Sequence, residues 1–316
     1  MSTFDDDIPS RPPEPDAFPP VSGEVLPVDS AVAPLSGDPI TYAAATTVHP
    51  ASSAGAWKPS VPEDLRVPWS WPHFIVFLFF GFISLILVQT AFAIYYLPHK
   101  RLTSQSELEQ FVMSKPQFAI GSMVVWYALL FLFLYVTLTV LRGSPFWRSL
   151  GWKMPNDTSS GHLRSPWTYF FSGCALSLLA SAITAKVQTP EHLPIQDIFK
   201  YKNTALLFMA MAVLIAPLVE ETIFRGYLYP LLAKSFGVLP GIVVTGVLFG
   251  LMHGYQLGWT LSLVSTLIVV GIIFTFVRAR TGTVFASFLL HLGYNSTIAF
   301  IAIVGTKGFT RMPTSH

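Results

Sequence analysis

An otherwise apolar run, Thr204–Leu232, contains Glu220-Glu221-Thr222-Ile223-Phe224-Arg225, two acids and a guanidinium within six residues. Placing a charge at the centre of a bilayer costs roughly 2.5–3.5 kcal/mol per residue on insertion scales. Three bare charges would therefore cost on the order of 8–10 kcal/mol. A membrane helix carries such a load only where the charges pair, line a wet cavity or take part in chemistry. No other feature of the chain restricts its fold and function so tightly.

The setting of this run is a membrane protein. Charged residues make up 11% of the 316-residue chain, and hydrophobic residues 52%, against about a quarter charged in soluble domains. The average conceals a division. Residues 1–70 hold ten of the 17 acids, three of the 19 basic residues and 13 of the 25 prolines. They read as a disordered acidic tail, because so little apolar surface cannot offset chain entropy. The tail either binds a partner or occupies solvent. Residues 71–316 read as a polytopic, multi-pass body. With a single cysteine, Cys174, there is no internal disulfide framework and no CxxC metal site; the thiol sits in an apolar run as packing. An acidic N-terminus and a first apolar run beginning near Phe74 argue against a cleavable signal peptide. A chain ending Pro-Thr-Ser-His carries no CAAX box of its own.

A span needs about 20 apolar residues. Phe74–Tyr96, Phe118–Leu141 and the Ser- and Ala-rich Trp167–Lys186 satisfy this, followed by Thr204–Leu232, Gly237–Met252, Leu257–Val277 and Val284–Val304. The expected fold is an all-α polytopic membrane protein with about seven helices, eight if one long run is broken. About three precede residue 204 (71–203), four occupy 204–304, and 305–316 form a short tail. Ser104-Gln105-Ser106-Glu107 is a capping-box pattern that opens a short amphipathic stretch, and Asp197–Lys202 reads as a second interfacial piece. Basic residues divide almost evenly between the two sides, with the cluster from Arg142 to Arg164 tilting the balance towards a cytosolic N-terminus. No internal repeat is visible.

Three polar patterns fall in the last four spans: Glu220-Glu221-x-x-x-Arg225, Phe249-x-x-x-His253 and His291-x-x-x-Asn295. Glu221 and Arg225 lie four apart, on one helical face, and can neutralise one another as pure structure. Glu220 points about 100° away from Glu221, so it needs a partner or a task of its own. His253 closes a stretch in which Gly246, Gly250 and Gly254 recur every fourth residue, a small-residue face that lets helices approach closely. His291 and Asn295 share a face, and an Asn in a span often serves only as interhelical glue. Taken together the set supports hydrolysis. A carboxylate acts as general base on water, a histidine assists, and a second histidine with an Asn amide supplies donors for a developing oxyanion. Alternatively Glu220, His253 and His291, with or without Asn295, ligate zinc, which would acidify the water. The convergence of only two histidines and one well-aimed carboxylate favours the glutamate-dependent version, with no cofactor required. There is no H-E-x-x-H helix and no G-x-S-x-G elbow.

The three boxes, in this order, resemble those of the CPBP family, the CAAX-protease and bacteriocin-processing membrane proteins also called Abi. The resemblance covers Thr204–Val304. It implies an intramembrane endopeptidase, glutamate-dependent or metallo, whose eukaryotic relatives remove the last three residues of prenylated CAAX proteins. It also implies that Glu220 and His253 activate water, that His291 and Asn295 form the oxyanion site, and that Glu221 and Arg225 hold the helix and tune the base. The expected partners are the lipid bilayer and a membrane-held peptide or prenylated protein, with no nucleic acid.

Two other classes compete with the peptidase. A non-enzymatic factor of the same fold, such as a bacteriocin-immunity or scaffold protein, has no need of Glu220, His253, His291 and Asn295. A transporter using Glu220 and the histidines as a proton relay would be expected to show a repeat and broken helix pairs.

Overall fold

The computed structural model of the protein describes residues 65–96, 104–153, 165–186 and 193–309. Residues 1–64 of the expected acidic tail, and 310–316 of the C-terminal one, lie outside them. The described residues are helical without strands. Six helices among them are long and apolar enough to cross a membrane, and a shorter apolar helix, Val238–Met252, makes the expected seventh. The chain is an integral, multi-pass membrane protein.

The first helices form a platform. Helix α1 (Trp71–Tyr96) packs on α3 (Pro116–Tyr135), which continues through a π-helical turn, Val136–Val140. Gly81 on α1 leaves its carbonyl open to the Trp126 indole, which donates to it at 2.9 Å. Between them lies α2 (Gln105–Ser114), where Ser104 Oγ accepts from the Glu107 backbone N–H at 3.2 Å, the N-cap expected of the sequence pattern. After the short α4 (Phe146–Ser149), α5 (Pro166–Thr184) begins with proline in its first turn, where the missing N–H costs nothing.

α5 lies along α11 (Val284–Gly305) at backbone distance. A methyl group added to Gly173 would stand 1.9 Å from the Leu290 carbonyl oxygen, and one on Gly293 2.0 Å from that of Phe170. Two facing glycines thus set this helix pair, as small-residue packing in lipid requires. Cys174 rests on the same seam, with Sγ 3.5 Å from the Gly293 carbonyl. It is packing, as expected.

The long apolar run becomes one helical rod in three sections: α7 (Lys202–Glu221), a π-helical stretch (Thr222–Leu228) and α8 (Tyr229–Phe236). Pro217 lies inside α7 and withholds one backbone donor just before the acids. The rod stops at Gly237, whose φ of 97° suits a residue without a Cβ. α9 (Val238–Met252) then turns back beside α8 and packs tightly on α10 (Leu261–Thr281). Added methyls on Gly246 and Gly250 would stand 2.5 and 2.7 Å from the backbone nitrogens of Ile272 and Ile268. The third glycine of the expected face departs from it. Gly254 falls just after α9 ends, and its Cα is covered by the Trp259 ring. α6 (Gln196–Phe199), inside the expected interfacial piece, closes one end of the bundle against α7.

Candidate active site

The two adjacent acids separate as helical geometry requires. Glu221 is wholly buried and receives two donors on Oε1: Arg225 Nη1 at 2.9 Å, and His291 Nδ1 at 3.0 Å. Glu220, a third of a turn away, turns its carboxyl group into a cavity, with its side chain 19% exposed. The anticipated ion pair therefore exists between Glu221 and Arg225, and Glu220 stands outside it.

Arg225 lies in the π-helical stretch, and every arm of its guanidinium is used. Besides Glu221, Nη2 donates to the Gly271 carbonyl at 2.9 Å and Nε to Thr275 Oγ1 at 3.2 Å. Its Cζ lies 4.4 Å from the Phe249 ring centroid and 5.3 Å from that of Phe274, within cation–π range. A buried charge is tolerable only when paired and hydrogen-bonded, and here the charge is paired and each guanidinium nitrogen has an acceptor. A π-helical stretch inside a longer helix is frequent at functional sites, and here it carries the cation that holds the acid pair.

His291, on α11, stands between the acids. Nδ1 meets Glu221, and Nε2 lies 3.8 Å from Glu220 Oε2, longer than a hydrogen bond. Its ring packs against Phe274 (4.7 Å) and edge-on to Phe249 (5.7 Å). Asn295, one turn on, donates from Nδ2 to the Ala212 carbonyl at 2.8 Å, tying α11 to α7 and leaving its second N–H for another acceptor. His253 caps the end of α9, with Nδ1 2.8 Å from the Phe249 carbonyl. A carbonyl only accepts, so Nδ1 carries the hydrogen. In the neutral ring, Nε2 then keeps its lone pair.

All four expected residues, Glu220, His253, His291 and Asn295, line one cavity of about 430 Å³. Its remaining wall is mostly apolar, contributed by α3, α5, α7, α9, α10 and α11 and including Met209, Leu267 and Ile298. The zinc set proposed from the sequence does not fit. Among the described residues no three His, Cys, Asp or Glu side chains come together as a metal-binding group.

Several residues of this site gave no strong signal in the sequence. Phe249, the first residue of its box, touches His253 (4.8 Å between ring centroids), His291 and Arg225, so it is the hub of the cluster. Gly271 and Thr275 on α10 serve Arg225, and their four-residue spacing was the available clue. Gly271 also must be small, since an added methyl would lie 2.8 Å from the Gly246 carbonyl oxygen. Phe274 has no local signal among so many apolar neighbours.

No curated protein and no solved structure matches the chain. Residues 202–297, which contain Glu220, Glu221, Arg225, His253, His291 and Asn295, match a protein family described as type II CAAX prenyl endopeptidase Rce1-like. The buried pair, the two histidines and the amide thus fall within one segment, residues 202–297, that is similar to the Rce1-like family of type II CAAX prenyl endopeptidases.

Proposed function

We propose that the protein is a glutamate-dependent intramembrane endopeptidase that hydrolyses a peptide bond near the end of a membrane-held, prenylated substrate. The observation that carries this reading is the shared cavity, where an acid outside the ion pair meets two imidazoles and an amide. The Rce1-like match over the same residues supports the reaction class.

In the proposed reaction, a water lies between Glu220, His253 and the scissile carbonyl. Glu220 takes one proton from it as the oxygen attacks the carbonyl carbon. His253 Nε2, whose lone pair is left free by the Nδ1 bond to Phe249, orients the same water. Negative charge collects on the former carbonyl oxygen, and in this reading the second N–H of Asn295 and His291 Nε2 serve as its donors. Donation from Nε2 requires the His291 ring to hold both protons, because Nδ1 already donates to Glu221. The proton held by Glu220 passes to the amide nitrogen, the C–N bond breaks, and the amine leaves. Glu221 and Arg225 hold His291 and the α7 rod in register throughout. The apolar wall suits a hydrocarbon group attached to the substrate.

The test is cleavage of a farnesylated peptide by the full chain reconstituted in vesicles. Glu220→Ala and His253→Ala are expected to lower kcat by roughly 100-fold or more while elution volume and thermal unfolding stay those of the parent. Full activity in Glu220→Ala would overturn the mechanism.

A further inference from the structure

The proposed base lacks an anchor. Among the described residues Glu220 accepts no hydrogen bond, and His291 Nε2 stands 3.8 Å from its Oε2. A carboxylate on a side chain with several free torsions loses catalytic geometry unless something fixes it. Glu221 is fixed by Arg225 and His291, so the deficiency is particular to Glu220.

Part of the cavity wall comes from α3, far outside residues 202–297. There Tyr127 lines the same cavity as Glu220, on a helix that packs against α7. Its ring is held in place: it packs against the cluster formed by Leu130, Leu134 and Tyr227, with the Trp126 ring 5.6 Å away. Its hydroxyl, by contrast, makes no hydrogen bond to another described residue, although it lines the cavity into which Glu220 turns. A phenol at neutral pH is a protonated donor with no charge of its own. It can therefore orient a carboxylate without neutralising it as a lysine or arginine would.

We propose that Tyr127 is a positioning residue of this site, whose hydroxyl donates to the Glu220 carboxylate through one bridging water and aims it at the attacking water. The site is then completed by the helices that precede the Rce1-like segment, and the segment by itself lacks the group that sets its base. This deepens the reading of Glu220 as general base and rests on it.

The experiment compares kcat, KM and the pH dependence of kcat/KM for wild type, Tyr127→Phe and Glu220→Gln, each as the full chain in vesicles with a farnesylated peptide. Phenylalanine keeps the ring and removes only the hydroxyl. A hydrogen bond to a charged group corresponds to roughly 10- to 100-fold in rate, so Tyr127→Phe is expected to lose that much in kcat with KM little changed. The acid limb of its pH profile moves to higher pH, because a carboxylate deprived of a donor protonates more readily. A loss of kcat with an unmoved acid limb assigns Tyr127 to packing alone and overturns the proposal, as does wild-type behaviour. Activity in Glu220→Gln removes the base reading itself; an inactive Glu220→Gln beside an unaffected Tyr127→Phe removes only Tyr127. Should Tyr127→Phe fail to fold, 3-fluorotyrosine at position 127 retains ring and hydroxyl while strengthening the donor. It is expected to move the acid limb to lower pH, and an unmoved limb would again overturn the proposal.

Discussion

Arg225 shows how one residue makes a charge tolerable inside an apolar rod. Its three nitrogens meet Glu221, Gly271 and Thr275, and its flat faces meet aromatic rings, so no polar atom of the guanidinium is left to hydrocarbon. Removing one member of a buried pair leaves the other charge uncompensated, at about 3–5 kcal/mol. Arg225→Ala is therefore expected to destabilise by about that amount, measured by denaturant unfolding in micelles. Peptidase activity falls with it, because Glu221 then loses its charged partner and its hold on His291 loosens. Arg225→Lys keeps the charge, but one ammonium cannot reproduce a planar fork spanning two helices, and unfolding at an intermediate denaturant concentration is expected. Wild-type stability in Arg225→Ala would mean that Glu221 is held without it. The pair itself was legible from four-residue spacing, and so was the divergence of Glu220. The residues answering Arg225 from α10 were not, because a backbone carbonyl at Gly271 has no signature in sequence.

At the scale of helices, position is set by glycine. Gly246 and Gly250 let α9 settle onto the backbone of α10, and α9 is the element that delivers His253 to the cavity and Phe249 to the cluster. Filling such a contact forces the backbones apart, at typically 1–3 kcal/mol. Gly250→Val is therefore expected to lower the unfolding midpoint of the solubilised protein and to reduce kcat more than KM, since His253 moves with the helix. A variant that unfolds earlier but retains full kcat would show that the site tolerates a shifted α9. Helix count and approximate boundaries were readable because hydrophobic length is a property of the chain itself. The π-helical stretch at Thr222–Leu228 was not, because no residue pattern in the sequence distinguishes it from the α-helix on either side. Gly254 illustrates the converse: its four-residue spacing placed it on the packing face, yet α9 ends before it and a tryptophan ring covers it.

Across the molecule, the helices differ in reach, and the difference bears on where the chemistry sits. α9 has 15 residues, about 22 Å at 1.5 Å per residue, whereas a bilayer's hydrocarbon core is about 30 Å thick. Its outward residues Leu239, Val243 and Leu251 are apolar and exposed, and the segment following it carries exposed Tyr255 and Trp259, residues suited to a membrane interface. A helix that stops short holds its terminal residue, here His253, below the level reached by its longer neighbours, or draws the bilayer thinner beside it. The neighbouring rod from Lys202 to Phe236 has 35 residues, so mismatch is built into one side of the bundle. Thinning beside α9 would bring water and a membrane-held peptide towards the cavity together. Cleavage in vesicles of phosphatidylcholines differing only in acyl length should therefore be fastest with the shorter chains and fall as the bilayer thickens, with the substrate's surface density held constant. Lengthening α9 by one helical turn of leucine and alanine, inserted after Leu239 on the side away from His253, should shift the optimum towards thicker bilayers. A rate independent of acyl length in both proteins would show that the protein's own helices, not local thinning of the bilayer, give the substrate its way in.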